Sequence, residues 1–392
     1  MNLILFDKNH SNYLPLSFTR PISFFRIGIL TIKEKWQFYY NSVSVKTEDY
    51  LSYKFKTNLE DDNLWVDSSI LPCKELITEV NNLRLGESLL YHGEVIAFRN
   101  KTFDYVKLNI IESHSLFSSV KSLTDIFNLN ENEIINDFER IKKHKNSKYL
   151  NRFIDLYSSN VKIGDGEIFI EDGAILNNCT LNTSNGPIYI GKDAEIMEGS
   201  LIRGPFAMLN NTVVKMGTKI YPGTTLGPFC KVGGEVNNSV FFGYSSKAHD
   251  GFLGNSVIGE WCNLGADTNN SNLKNNYINV KLWNYQSEKF KDTTLQFCGL
   301  IMGDHSKCGI NTMFNTGTVV GIGANIFGCG FPRNFIPSFS WGGSSGFSEY
   351  KFLKFIDSVE RVFKRRDLKI NQVEIDILNH IFEITKRFRN QY

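Results

Sequence analysis

Two histidines, His249 and His305, lie in the glycine- and valine-rich middle of this 392-residue chain. His249 stands in the polar stretch KAHD, next to Asp250 and two residues after Lys247. An imidazole has an ordinary pKa of about 6.5, so near neutral pH it can take a proton from a reacting group. His249 is therefore a candidate general base, with an ordinary loop histidine as the alternative. We expect His305 to be structural, and two histidines are too few for a three-histidine zinc site.

The residues around His249 carry the strongest pattern in the sequence, a repeat of six. An apolar residue recurs every six positions, and a small residue nearly always lies four places after it. Such a period fits neither an amphipathic helix nor an antiparallel sheet, and a single coil could not bury its own apolar face. The pattern predicts a left-handed parallel β-helix over residues 160–345, with an all-β sandwich as the alternative. Its apolar positions are Ile190, Ile196, Ile202, Met208, Val214, Ile220, Leu226 and Val232, then Phe252, Ile258 and Leu264, and finally Met302, Cys308, Phe314, Val320 and Ile326.

Two stretches, 233–251 and 269–297, depart from the six-residue period. We expect both to leave the coil as loops. Loops held by a rigid scaffold are where functional residues tend to lie. The first of these stretches contains His249.

The regions on either side of the six-residue repeat have different residue patterns. Residues 1–155 mix apolar strands (Met1–Phe6 and Gly93–Arg99) with a helical pattern at Asn130–His144, which predicts an α/β domain. Residues 348–392 predict helices. Ser348 is the expected N-cap of the first, and the second is expected near Gln372–Arg387, with Val373, Ile377, Ile381 and Ile384 on one side. We expect these helices to cover the open end of the coil stack.

The bulk properties exclude several classes of partner. A net charge of +2 gives no general attraction to nucleic acid or to a membrane surface. No apolar run approaches the roughly 18 residues that a spanning helix needs. The seven cysteines are scattered, and the N-terminus reads as a strand rather than a signal peptide. Reduced thiols and a cytoplasmic location are therefore expected.

Longer strings resemble a known enzyme family. The stretch KAHDGFLGNSVIGEWCNLGADTNN, within Lys219–Gly330, resembles the acetyltransferase half of the bacterial bifunctional N-acetylglucosamine-1-phosphate uridylyltransferase / glucosamine-1-phosphate acetyltransferase family, the GlmU-like proteins. With PLSFTRP, RIGILTIKEKW and FPRNFIPSFSWGG, nearly the whole chain resembles the Bacteroidetes-type variant of that family.

The resemblance assigns roles to particular residues of the β-helix. It makes His249 the catalytic base. Tyr221 and Asn237 stand where the family has arginine and lysine, so the acceptor pocket departs from the family pattern. The implied acetyl-CoA and oxyanion residues are Asn263, Gly265, Ala266 and Asn272, and the implied acceptor-binding positions are Lys219, Tyr221, Asn237, Lys247 and Phe252.

The N-terminal region resembles sugar-nucleotide pyrophosphorylases through PLSFTRP. That resemblance implies a nucleotidyltransferase-like domain in which Arg20 and Lys33 bind the nucleotide and Asp67 is a candidate Mg²⁺ ligand. The glycine-rich phosphate loop of those enzymes is absent here, and Ile22 stands at their lysine. A degenerate domain kept for assembly or substrate binding is the alternative.

The function implied by the family is acetyl-CoA-dependent N-acetylation of glucosamine-1-phosphate or a related amino sugar. Nucleotidyl transfer with UTP and Mg²⁺ would then give UDP-N-acetylglucosamine or a similar sugar nucleotide. The family also implies a homotrimer, and no metal is expected in the β-helix. Two alternatives stay open: a monofunctional acyltransferase on another sugar-linked amine, and a non-catalytic trimeric sugar-nucleotide-binding scaffold.

Overall fold

The computed structural model describes residues 1–145 and 159–389. Contacts divide the chain into two compact units. The predicted domain boundary at residue 155 lies outside the described residues, and the one near 345 stays a prediction. The first unit comprises Met1–Tyr13, Thr19–Phe25 and Leu30–Ser122, and the second comprises Leu14–Phe18, Arg26–Ile29 and Leu123–Tyr392.

The first unit is built on a six-stranded mixed sheet. Its first strand is buried along its whole length and pairs in parallel with a strand on each side, as expected for strands covered on both faces. Both predicted strands of this region are confirmed. The sheet order is β2-β1-β3-β5-β4-β6, with β1 (Asn2–Phe6), β2 (Ser42–Lys46), β3 (Asn63–Asp67), β4 (Glu87–Tyr91), β5 (Glu94–Asn100) and β6 (Asn109–Glu112). The helices are α1 (Ile32–Gln37), α2 (Asp49–Ser52) and α3 (Lys74–Asn82).

The second unit is a three-sided parallel solenoid, which confirms the predicted β-helix. Each side is a stack of short strands from successive coils. Side one contains β7 (Val161–Ile163), β10 (Thr180–Asn182), β13 (Leu201–Arg203), β16 (Lys219–Ile220), β19 (Glu235–Asn237) and β22 (Phe252–Gly254). Side two contains β8 (Ile168–Ile170), β11 (Ile188–Ile190), β14 (Phe206–Met208), β17 (Thr224–Leu226), β20 (Val240–Gly243), β23 (Val257–Glu260), β28 (Leu300–Met302), β31 (Thr318–Val320) and β33 (Phe335–Ile336). Side three contains β9 (Ile175–Leu176), β12 (Glu195–Ile196), β15 (Val213–Val214), β18 (Lys231–Val232), β21 (Ser246–Lys247), β24 (Asn263–Leu264), β29 (Lys307–Cys308), β32 (Asn325–Ile326), β34 (Ser340–Gly343) and β35 (Gly346–Glu349).

The predicted apolar column fills the solenoid interior. Ile196, Ile202 and Val214 are at most 1% exposed and share one core cluster. Phe252 is the exception, because the buried residue of its strand is Leu253. The six-residue spacing of the apolar residues is therefore off by one position at this strand.

This shift of one position arises because only five residues separate Leu253 from the next residue of the buried column, Ile258, and the preceding coil is also shortened. Val214 pairs with Val232, eighteen residues later, whereas Val232 pairs with Lys247, only fifteen residues later. Residues 233–251 therefore stay in the coil as β19, β20 and β21, and the expectation that they form a loop is wrong. A search at a fixed spacing of six misses a coil that is three residues shorter.

The second break is a true excursion. The chain adds β25 (Asn269–Asn270), which pairs with β30 (Met313–Phe314), and then leaves the stack until β28. The excursion carries an antiparallel hairpin of β26 (Lys281–Asn284) and β27 (Lys289–Asp292). Trp283 anchors the hairpin by stacking on Phe335, with ring centroids 4.2 Å apart.

The predicted helix Asn130–His144 is confirmed, and it belongs to the solenoid unit. The helices α4 (Asp125–Asn128) and α5 (Asn130–His144) follow one another directly. Phe138 of α5 meets Phe169 of side two edge-on, and the Asn130 amide donates to the Gly223 carbonyl at 2.7 Å. This helix thus covers the outer surface of side two.

The C-terminal helices are α6 (Phe352–Lys364), α7 (Gln372–Ile384) and α8 (Lys386–Arg389). Ser348 is not a cap, because it lies in β35, which pairs with β34 in a hairpin, and Lys351 precedes α6 instead. In α7 the buried residues include Ile377 and Ile381, whereas Ile384 is 43% exposed.

Helix α6 runs along a corner of the solenoid, while α7 and α8 contact its last coil through Phe382 on Phe339 and Phe388 on Phe335. That the helices cover the open end stays a prediction. Phe363 stacks on Trp261 at 4.3 Å, and eight residues earlier Phe355 meets Phe339 at 5.0 Å. The Arg366 guanidinium donates to the Phe229 carbonyl at 3.0 Å. The contacts thus follow the coils along the corner between sides two and three.

This corner carries a ladder of stacked rings. Phe229, Tyr244 and Trp261 occupy equivalent positions with φ between 54° and 62°, a conformation that bulky residues rarely adopt. Their rings stack at 4.9 Å and 4.2 Å. His305, at φ 61°, is buried and lies parallel to Trp261, in keeping with the structural role expected for it.

We predict that Ile202→Ala lowers the free energy of unfolding by about 2–5 kcal/mol, because it opens a cavity in the packed column. Its neighbour Leu201 is 53% exposed, so Leu201→Ala is the matched control and should change stability by no more than about 0.5 kcal/mol. Urea denaturation of both variants tests this, and equal losses would contradict the inner column.

Candidate active site

His249 lies at the corner between sides three and one. It follows β21 and precedes β22, and it is exposed. It lines a cleft of about 630 Å³ that runs along the same corner of successive coils. The lining residues are Met197, Lys215, Met216, Gly233, Gly234, Ala248, His249, Asp250, Ala266 and Asp267.

The structure brings only some of the predicted acetyl-CoA residues to this cleft. Ala266 lines it, and Asn263 lies exposed on β24, paired with Ser246 of β21. A Cβ at Gly265 would lie 2.4 Å from the Gly309 backbone, so glycine is required there for coil packing.

Asn272 lies at a different corner, beyond β25. Its amide donates to the Asn255 side chain at 2.8 Å. Its neighbours Ser271 and Leu273 line a smaller cleft of about 370 Å³. Asn272 is therefore not among the residues that line the His249 cleft.

The predicted acceptor residues divide into two groups. Lys219, Tyr221, Asn237 and Phe252 lie on or beside the strands of side one, outside the lining of the His249 cleft. Lys219 and Phe252 flank Glu235 in adjacent strands, so the two form one row across the sheet.

Lys247 is the exception among them. Its side chain occupies the interior column and is 1% exposed, so it does not offer a charge to a ligand at the surface. Burial lowers the pKa of its ammonium to about 8, although Asp250 and Asp267 act in the opposite direction.

The sequence reasoning missed Met197, Lys215, Met216 and Asp267. These residues have no shared type and come together only because coils stack with offsets of fifteen to eighteen residues. Writing the chain coil by coil would have aligned their corner positions, which is the one signal available.

The first unit places two carboxyl groups at neighbouring strand ends, Asp67 buried and Asp7 half-buried. Asp67 ends β3 beside Phe6 of β1, and Asp7 follows directly. The Thr47 hydroxyl donates to Asp7 at 2.6 Å, and the Ser69 hydroxyl donates to Asp67 at 2.8 Å. Burial raises the pKa of both, that of Asp7 to about 7.

Asp7 and Asp67 alone supply too few ligands to hold a metal ion firmly. Among the described residues, no group of three or more His, Cys, Asp and Glu side chains could hold one. Mg²⁺ in nucleotide sites commonly uses one or two carboxylates together with substrate phosphates. Asp67 and Asp7 therefore fit a Mg²⁺ that arrives with a nucleotide, and not a resident ion.

The other predicted nucleotide-binding residues are partly or fully buried. Arg20 is 6% exposed. The Lys33 ammonium lies over the Phe24 ring, 5.1 Å from its centroid, and burial lowers its pKa.

All seven cysteines are free, and burial raises the pKa of Cys230 to about 12, so this thiol is inert. Within residues 1–145 and 159–389, no helix is both long and apolar enough to cross a membrane.

Two features indicate the class of protein. The α/β unit has parallel strands that end in carboxyl groups, and the β-helix presents a histidine at one corner. Residues 3–146 match the family model described as sugar nucleotidyl transferase. The chain is also similar to curated proteins named bifunctional protein GlmU, which confirms the resemblance to GlmU-like proteins.

One of these relatives, from Methanococcus aeolicus, is 35% identical over 112 residues, covering 27% of this chain and 26% of that protein. Another, from Wigglesworthia glossinidia brevipalpis, is 25% identical over 300 residues, covering 68% of this chain and 59% of that protein. The chain thus spans less than two thirds of these relatives.

A solved structure of AntD, an N-acyltransferase from Bacillus cereus, aligns with 57% of this chain and 100% of its own. The identity is 12% and the TM-score 0.24, too low to support an argument about this chain.

We predict that Asp7→Asn stabilises the protein above about pH 7 and has little effect near pH 4. The raised pKa means that the folded state keeps a proton the unfolded state has lost, so in the parent stability falls as pH rises from about 4 to 7. The gain should be roughly 2–4 kcal/mol at most. Calorimetry at both pH values measures it.

Asp62→Asn is the opposite-sign control. Arg99 donates to the Asp62 carboxylate and lowers its pKa, so this change should weaken the fold near neutral pH and not in acid. If both variants shifted stability alike, burial would not be the cause of the Asp7 effect.

Proposed function

We propose that the β-helix transfers an acetyl group from acetyl-CoA to the amine of glucosamine-1-phosphate or a related amino sugar. The observation that carries this is an exposed histidine on the wall of a 630 Å³ cleft. The similarity to proteins named bifunctional GlmU supports the same reaction class.

The chemistry at the cleft follows from its residues. His249 takes a proton from the amine, whose nitrogen attacks the thioester carbonyl carbon. The carbon–sulfur bond then breaks, the new amide forms, and the proton passes to the departing thiolate. The side-chain amide of Asn263 and backbone N–H groups are the candidate donors to the developing oxyanion.

We further propose that the first unit carries out nucleotidyl transfer with UTP and Mg²⁺. The family-model match over residues 3–146 and the two carboxyl groups, Asp7 and Asp67, support this. Mg²⁺ bound there would neutralise phosphate charge, and Arg20 and Lys33 would bind the nucleotide. The combined product would be UDP-N-acetylglucosamine or a similar sugar nucleotide.

We infer a cytoplasmic homotrimer from the family resemblance. In that family the acetyl-transfer sites lie between subunits. A neighbouring copy would then complete the acceptor side of the cleft.

A second candidate is acetylation of another sugar-linked amine. Tyr221 and Asn237 stand where the family has basic residues, and Asp250 and Asp267 place carboxylates on the cleft wall. Both features favour an amine acceptor without a phosphate group over glucosamine-1-phosphate. An acceptor panel with and without a phosphate group separates the two candidates.

We predict that His249→Ala lowers kcat for CoA release by about 10²–10⁴-fold with acetyl-CoA and the best acceptor. His380, exposed on α7, provides the matched control, and His380→Ala should keep full activity. A thiol-detecting assay measures both. Unchanged turnover in His249→Ala would exclude the general-base role, and ligand binding without turnover in the parent would favour a scaffold.

We predict that the parent releases pyrophosphate from UTP with N-acetylglucosamine-1-phosphate and Mg²⁺, and that Asp67→Asn lowers this rate at least about tenfold by removing a metal ligand. Asp61→Asn, at a solvent-exposed carboxylate, is the control. Absence of pyrophosphate release in the parent would instead indicate a degenerate domain.

A further inference from the structure

One position of the interior column differs in kind from its neighbours. On side three, Lys247 follows Val232 of the preceding coil and precedes Leu264 of the next. Both neighbours are aliphatic and at most 2% exposed. Packing alone would therefore favour an aliphatic residue at this position.

The Lys247 ammonium lies directly beneath the cleft. It donates to the Gly233 carbonyl at 3.1 Å and to the His249 carbonyl at 2.9 Å. A Cβ at Gly234 would lie 2.9 Å from the ammonium nitrogen, so the glycine pair leaves room for it. The ammonium thus ties together two successive corners of the cleft wall, and one of them carries His249.

Burying an ammonium inside an apolar column is costly, and two carbonyl acceptors only partly offset that cost. A buried ammonium whose desolvation is costly and which bonds to the backbone of the proposed base is better explained by function than by packing.

We propose that Lys247 is a positioning residue, whose buried ammonium fixes the corner that presents His249 to the cleft. This proposal rests on the acetyl transfer proposed above. Lys247 acts through the backbone of His249 and does not itself contact substrate.

The charged and titratable groups facing Lys247 set its response to pH. Asp250 lies on its own corner and Asp267 on the next, and both carboxylates favour the charged ammonium. The Cys308 thiol lies in the column, and burial raises its pKa, so it stays neutral. Burial outweighs the two carboxylates and lowers the pKa of the Lys247 ammonium to about 8. Above that pH the hydrogen bonds lose their charge assistance, and the corner is held less firmly.

Lys247→Met tests the proposal, because methionine fills a similar volume without a donor. We expect kcat/KM for acetyl transfer at pH 7.5 to fall at least about tenfold, as for a misplaced catalytic group. The midpoint of urea unfolding should stay unchanged or rise, since a buried charge is removed. The parent should lose activity above about pH 8, and the variant should lack that limb.

Lys307→Met is the matched control. The Lys307 ammonium also bonds a backbone carbonyl, that of His305 at 2.9 Å, and burial lowers its pKa, but it lies beside the aromatic corner. This variant should keep the parental kcat/KM and should still lose activity above about pH 8.

Hydrogen exchange separates this proposal from the proposed reaction. At pH 7.5 the peptide spanning 248–254 should exchange at least about threefold faster in Lys247→Met and at the parental rate in Lys307→Met. This measurement needs no turnover. If the parent protein showed no acetyl transfer, the proposed reaction would be refuted, but exchange would still test whether Lys247 holds the corner. Parental exchange and parental kcat/KM in Lys247→Met, or equal losses of activity and stability, would overturn the positioning role.

Discussion

A single coil of this solenoid has no core of its own, so every coil depends on apolar contact with the coils above and below it. The stacked column of Ile196, Val214 and Val232 supplies that contact along side three. Because side chains must pile up in register, equivalent positions of each coil align along the length of the unit. Corners thereby become continuous grooves and ridges, and neither would exist in one coil alone.

The two corners described above use this repetition in opposite ways. At the corner between sides two and three, large rings stack into a ladder that α6 covers with Phe363. At the corner between sides three and one, small residues such as Gly233 and Ala248 leave a cleft beside His249. The same constraint therefore yields one corner filled by stacked rings and one that is left open.

Much of the fold could be predicted from the sequence because its signal is local and periodic. The apolar column and helix α5 follow from spacing alone. Lys247 was missed because its coil is three residues shorter than the one before, and Leu253 because only five residues separate it from the next residue of the buried column, Ile258. Ser348 was misassigned because pairing with Trp341, a contact outside any helical window, outweighs its capping preference.

The site was only partly predictable, for a related reason. His249 could be found from residue type and resemblance, but its surroundings come from four other coils. Nothing in the local sequence marks Met197 or Asp267 as its neighbours. The burial of Lys247 also reverses the expectation of a surface acceptor residue, since only coordinates reveal which way a strand residue points.

The hairpin formed by β26 and β27 shows how tolerant this architecture is of added sequence. The chain departs after Asn270, builds a separate ribbon, and rejoins the stack at Leu300 with its pairing intact, since β28 still aligns with β23. Register is thus carried by the neighbouring rungs and not by the continuity of the polypeptide. A peptide grafted at this point would be displayed from a rigid support without rewriting the interior, which makes the insertion a natural handle for engineering new recognition.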